Sequence, residues 1–399
     1  MKQMHVQGGN NGPLPCSPKL SGDLMRILVI DRGPFGHLID AAKLCEYLGR
    51  NHEVTYLGFN AVTFMNHGTS EVPHSFVKLL MVPIHPRFII RCWRWYLTSL
   101  REVTRDYDIV YVYHFPGCSA LRCVRPGRPM ILDIRSGGVS PSQFKRRLHD
   151  MTERLDAKFF KNVAIISEGL RRKLGITERK AHILPLGADR YELPAKTFDA
   201  LHLLYLGYFY RGRELEKTIR AFARLYHERV DDIEMTYTLV GGAEGQEAAF
   251  LRQVAVDAGV GHVVRFPGFV SHERIADYLA SCNIGMAYVP ITEFFDHQPS
   301  TKTFEYLMAG MPVLATGTIE HRRLITETNG IVTDDSEDAV FAGLQQLFTT
   351  RHRFDSLEIR RSVQPYCWED IVLKNCLPYL ERIVQGFRGH CCPDQRGKV

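Results

Sequence analysis

One pattern constrains this chain more than any other. Short apolar runs alternate with segments of helical period, the alternation halts at a stretch punctuated by Pro and Gly, and then it begins again. In the first half, MRILVID runs into Gly33 and Gly36, and IDAAKLCEYLGR carries helical period. HEVTYLGF, Ile109 to Tyr113 (IVYVY), Met130 to Ile134 (MILDI) and Val163 to Ile166 (VAII) then read as further strands. Strands separated by helices give a doubly wound parallel sheet, because a parallel pair needs a long crossover. Ile183 to Ala200 has no helical period and marks a domain boundary. Beyond it the pattern repeats as LHLLYLGYF, ELEKTIRAFARLYHE, MTYTLVGG, HVVRFPGFV, IGMAYVP and PVLAT. The expected division is an extension over 1–24, one domain over 25–192, a second over 193–367, an amphipathic helix over 368–388 and a loose tail over 389–399.

Composition narrows the function classes. A net charge of +6 is too small an excess to require nucleic acid, and an anionic small molecule or membrane surface would satisfy it. No stretch reaches the roughly 18 apolar residues needed to span a bilayer. The first 24 residues lack the apolar core of a signal peptide, so a cytoplasmic protein is expected. The ten cysteines show no paired zinc spacing, which predicts reduced, mostly buried thiols and no metal site.

The segment that carries chemistry is DHQPSTKTFEYLMAGMPVLAT, Asp296 to Thr316. Pro299 and Ser300 are helix-start residues, Gly310 and Pro312 are stop residues, and VLAT is a buried strand. Lys302 and Glu305 then lie on the first turns of a short helix, three residues apart and on one face. A helix N-terminus with an added ammonium suits a pyrophosphate, and Glu305 is placed to accept hydrogen bonds from sugar hydroxyls. The alternative is an exposed helix with an incidental Lys and Glu.

The run PSTKTFEYLMAGMPVLAT resembles the nucleotide-sugar site of retaining glycosyltransferases of family 4. LLYLGYFYRGRELEKTIRAF, YTLVGG, VVRFPGFVSHERIADYLASCNIGMAYVP, VAIISEGLRRKLG and ILPLGAD fall in that family's order. The resemblance covers roughly Met25 to Phe387 and implies an α/β protein of the GT-B fold. That means two Rossmann-like doubly wound domains facing across a cleft, acceptor-binding first and donor-binding second, with the C-terminal helix crossing back to the first. It further implies that Glu305 binds the donor ribose and that Lys302 faces phosphate. Beyond Gly207, where the family often has an Arg, this chain has Tyr208, so Arg211 or Arg213 must hold the diphosphate. The glutamate that the family places eight residues before Glu305 is replaced by His297, with Asp296 beside it. These two are therefore the candidate groups at the transferred sugar. Gly36 with His37 corresponds to the acceptor-side glycine loop, His114 lies one residue from a family histidine, and Arg135 falls in a segment that faces the acceptor, a structural salt bridge being the alternative for it.

Pro86 to Arg105 interleaves five arginines with Phe88, Ile89, Ile90, Trp93, Trp95 and Tyr96, which reads as a peripheral contact with the inner face of an anionic membrane; a core helix or a subunit contact is the alternative. The expected activity is sugar transfer from a nucleotide diphosphate sugar to a glycan or lipid-linked acceptor, retaining and metal-independent, with no cofactor beyond the donor, in surface polysaccharide or lipid-linked glycan synthesis. A nucleotide-sugar epimerase and a non-catalytic nucleotide-sugar-binding partner protein are the competing readings. A dehydrogenase is disfavoured, since DRGPFG lacks the G-x-G-x-x-G turn.

Overall fold

A computed structural model describes residues 23–60, 76–138, 140, 142–229, 231–243 and 245–391. Apart from 23–24 and 389–391, the expected extension and tail lie outside them. The apolar runs of the first half form β1 (Arg26–Ile30), β2 (Glu53–Phe59), β3 (Val77–Val82), β4 (Ile109–Tyr113), β5 (Met130–Ile134), β6 (Asn162–Ile165) and β7 (Ala181–Ile183). They pair in the order β3-β2-β1-β4-β5-β6-β7, parallel throughout. The helices between them are α1 (Ile39–Gly49), α2 (Phe88–Val103), α3 (Ala120–Val124), α4 (Gln143–Phe159) and α5 (Glu168–Leu174).

The second sheet contains β8 (Leu201–Leu206), β9 (Met235–Val240), β10 (Val264–Gly268), β11 (Ile284–Ala287), β12 (Val313–Thr316) and β13 (Gly330–Thr333). Its order is β10-β9-β8-β11-β12-β13, again parallel. Its helices are α6 (Glu216–Arg229), α7 (Glu247–Asp257), α8 (His272–Ser281), α9 (Glu293–Asp296), α10 (Thr301–Met308), α11 (Ile319–Leu324), α12 (Glu337–Thr350) and α13 (Ser356–Val363). Both sheets read as near-continuous apolar runs because helices cover both faces: β4 and β9 are buried at every residue. β3, β7 and β13 were not anticipated. β7 and β13 are three and four residues long, and their strand state is fixed by pairing with a neighbouring strand.

The chain passes between the domains twice. After β7 it runs through 184–200, and it returns after α13. At the crossing, the Ala188 amide donates to the Tyr366 carbonyl and the Trp368 amide to the Ala188 carbonyl, both at 3.1 Å. A Cβ at Gly187 would lie 2.2 Å from the Tyr366 carbonyl oxygen, so only glycine permits this approach. The chain then continues through α14 (Trp368–Asp370), a π-helical turn over Ile371–Cys376 and α15 (Leu377–Cys391). This last segment lies on the first domain. His182 of β7 stacks on Tyr379 with ring centroids 4.0 Å apart and bonds Asn375 at 2.5 Å, and Cys376, Leu377, Leu380 and Val384 join the core. Among the described residues no helix is long and apolar enough to cross a membrane.

Candidate active site

In open α/β sheets the strand order reverses at one place, and the crevice beyond the carboxyl ends of the strands there is where ligands bind. In the second sheet that place lies between β8 and β11. A cavity of about 400 Å³ opens there, lined by Leu206 and Gly207 beyond β8, Val289 beyond β11, Arg213, Phe295, and Gln298 to Lys302 with Glu305. Leu186 from the connector closes one side.

The local sequence explains how α10 reaches this position. Ser300 is the N-cap, and Gly310 at φ 77° ends the helix. The Leu206 amide donates to the Tyr306 hydroxyl at 2.7 Å, pinning α10 to the end of β8. Ser300 makes no side-chain bond to the helix it caps, so its hydroxyl leaves the first amides of α10 unanswered. Lys302 is 6% exposed, and its Nζ sits 3.9 Å from the Tyr205 ring centroid without a hydrogen-bond acceptor. Burial, reinforced by the neighbouring Arg213, holds the Lys302 pKa well below the ordinary lysine value. Arg213 lies between the rings of Phe295 and Tyr210, at 5.0 and 5.6 Å, with its Nε buried and unpartnered. Glu305 lies half-buried on the same wall. The floor is made by backbone contact: a Cβ on Gly241 would lie 1.8 Å from the Gly207 carbonyl oxygen.

The remaining residues singled out from sequence divide. Gly207, Arg213, Lys302 and Glu305 line this cavity together. Arg211 does not, because its guanidinium stacks on Phe250 of α7 at 3.8 Å. The Asp296 carboxylate accepts from the Ile319 amide at 2.8 Å, so it serves the first turn of α11 instead of facing the cavity. His297 stands where the domains meet. Its carbonyl accepts from the Ser167 hydroxyl at 3.1 Å, and its Nδ1 is buried without a partner. His114 lines neither this cavity nor the one described next, and its Nε2 is 3.2 Å from Asp156. Arg135 is committed to structure, donating to Asp40 at 2.6 Å and to the Leu184 carbonyl at 2.7 Å. Gly36 has φ 85° in the turn after β1, and it too is absent from the walls of both cavities.

Sequence reasoning missed a second cavity, of about 350 Å³, on the other side of the α10 N-terminus. Ser167, Glu168 and Pro185 line it from the first domain and its connector; Ser300, Thr303, Glu320 and His321 line it from the second. Glu320 has a buried Oε1 that makes no hydrogen bond and lies 3.7 Å from the Arg323 guanidinium, and burial pushes its carboxyl pKa up. His321 is pushed down to about 4 by burial, with Nδ1 on the Thr316 carbonyl at 2.7 Å. Nothing in the local sequence IEHRR marks Glu320, because the cavity it lines is completed by Ser167, Glu168 and Pro185, distant in the chain.

The fold is shared with solved two-domain α/β enzymes. Sucrose-phosphate synthase of Thermosynechococcus elongatus superposes with a TM-score of 0.70 at 18% identity, covering 90% of this chain and 99% of that one. A glycosyltransferase from Rickettsia africae gives 0.70 at 12% identity, covering 91% and 100%. HepE of Anabaena, solved with UDP and glucose, gives 0.67 at 15% identity, covering 89% and 99%. These likenesses establish the GT-B architecture. Within the second domain, residues 200–350 match the family model described as Glycosyl transferases group 1. No curated protein matches the sequence.

Proposed function

We propose that this chain transfers a sugar from a nucleoside diphosphate sugar to an acceptor hydroxyl, the donor resting on the second domain. The observation that carries the reading is the Lys302 ammonium, buried beside Arg213 on one cavity wall, neither cation facing a hydrogen-bonding anion there. Buried charge without a partner is costly, and a diphosphate supplies the missing anion. Glu305, one turn along α10, accepts from ribose hydroxyls, and the α10 amides add their dipole. When the bond between sugar and diphosphate breaks, negative charge grows on the leaving oxygen, and Lys302 and Arg213 stabilise it without a metal. His297 takes the place at the transferred sugar, and the acceptor enters from the first-domain side. The resemblance to family 4 supports retention of configuration.

The surface supports a lipid-linked acceptor. Ile89, Trp93 and Leu97 are exposed on α2, whereas Trp95 belongs to the core, edge-on to Phe115 at 4.5 Å. α4 adds an exposed row the sequence reading did not single out: Phe144, Leu148, Met151, Leu155 and Phe159, spaced by three or four residues. The loop 115–119 ties the two helices side by side, since Tyr96 of α2 bonds the Gly117 carbonyl and Asp156 of α4 accepts from the Gly117 and Ser119 amides. With the α2 arginines and Lys145, Arg147, Arg154 and Lys158 alongside, this face suits an anionic bilayer.

Thermal shift of the purified protein against UDP, GDP, TDP and their sugars, with Lys302→Ala and Glu305→Ala alongside, tests the donor site. HepE's complex makes UDP the first choice. A nucleotide-specific rise in melting temperature, reduced in both variants, is expected. No shift with any nucleotide in a folded sample overturns the reading. Binding without transfer or donor hydrolysis points to a partner protein, and acceptor-independent interconversion of two nucleotide sugars to an epimerase.

A further inference from the structure

Away from both cavities, the end of β4 and the helix α4 bring together a donor set that sugar transfer does not use. His149 and Glu153 stand four residues apart on α4, hence on one face, and His114 follows the last residue of β4. His149 Nε2 lies 3.2 Å from Glu153 Oε1, and His114 Nδ1 lies 3.8 Å from the same oxygen. The two nitrogens and the oxygen all fall within 4.8 Å of one another. Glu153 is 1% exposed, and its second oxygen, Oε2, is buried with no hydrogen-bond partner.

We propose that His114, His149 and Glu153 form a binding site for a divalent transition cation, with zinc the best match. Two imidazoles and a carboxylate are a zinc donor set. At bond lengths of about 2.0 to 2.2 Å, tetrahedral donors lie roughly 3.3 Å apart. The His149–Glu153 distance already matches, His114 Nδ1 must approach Glu153 by about half an ångström, and the two imidazoles start with ligand atoms within 4.8 Å of each other. The remaining contacts of His114 fit the same assignment. Its Nε2 faces Asp156 Oδ2 at 3.2 Å, which places the proton on Nε2 and turns the Nδ1 lone pair toward Glu153. Asp156 is held in turn by the Gly117 and Ser119 amides and the Ser119 hydroxyl. It is therefore a positioning residue, and its oxygens are already engaged. That decides against the neighbouring grouping of His114, Cys118 and Asp156, whereas Glu153 retains an oxygen with nothing to bond. The His149 side chain is 38% exposed, giving a cation a path in and leaving its fourth position to water. A bound cation would cross-link α4 to the end of β4 within the first domain.

The test uses untagged full-length protein stripped with a chelator and titrated with zinc in competition with a chromophoric chelator. Cobalt is added in parallel to read its visible d–d absorption. One tight equivalent of zinc, a four-coordinate cobalt spectrum and a rise in melting temperature with zinc are expected. His149→Ala, at a half-exposed position that the fold tolerates, is expected to weaken zinc at least about tenfold, and the isosteric Glu153→Gln likewise. Circular dichroism confirms that each variant is folded. Absence of a stoichiometric site overturns the proposal, as does zinc binding that both folded variants retain at full affinity.

Discussion

At the scale of single residues, the cavity beside β8 is governed by Lys302. If the cavity takes a nucleoside diphosphate, an ammonium whose pKa is held down by burial and by Arg213 couples that binding to protons. A bound diphosphate would fix Lys302 in its charged form, which the free protein does not, so binding is expected to take up protons and affinity to fall as pH rises through the range where free Lys302 titrates. Calorimetry in two buffers of different ionisation enthalpy measures this uptake, and Lys302→Met is expected to abolish it and lower nucleotide affinity by at least about tenfold. Gly241 is the second governing residue. Its φ is 157°, and a methyl group there would strike the Gly207 carbonyl. Gly241→Ala is expected to cost more than about 2 kcal/mol in urea denaturation and to displace the Gly207 wall of the cavity.

At the scale of elements, α4 carries two faces with different tasks. Its inner face holds Glu153 and Asp156, and its outer face shows Phe144, Leu148, Met151, Leu155 and Phe159 to solvent. If the outer face meets lipid, replacing Phe144, Leu148 and Met151 together by serine should lower partition onto anionic vesicles at least tenfold in co-sedimentation, at about 0.8 kcal/mol per buried methylene. The change should leave the melting temperature within a few degrees, because all three side chains are largely exposed and none joins the core. α10 was legible in the sequence because its signals are local: Ser300 before it, Gly310 after it, and Lys302 and Glu305 one turn apart. Arg213 could not be told from Arg211, since only the ring of Phe250 on one side and Phe295 on the other separates them. Asp296 read as a sugar contact because nothing nearby in sequence shows that the Ile319 amide claims it. Glu320 was invisible for the same reason, its surroundings being supplied by a distant stretch of chain.

At the scale of the whole molecule, the two sheets are joined at one crossing and by one long return. Asn375 secures that return, its Oδ1 meeting the His182 ring and its amide donating to the Ile183 carbonyl at 3.3 Å. Asn375→Ala is expected to cost about 1 to 3 kcal/mol and to raise hydrogen exchange along the last helix first, since buried partners are left unsatisfied.

The same return has a consequence for synthesis. Residues 371–391 complete the covering of the first domain, and they leave the ribosome after the whole of the second. The first domain, though made first, finishes last, with β7 waiting on a segment encoded roughly two hundred residues downstream and α1 on the same segment more than three hundred residues downstream. At translation speeds of about 5 to 20 residues per second, its apolar flank stays open for ten seconds or more while the second domain folds beside it.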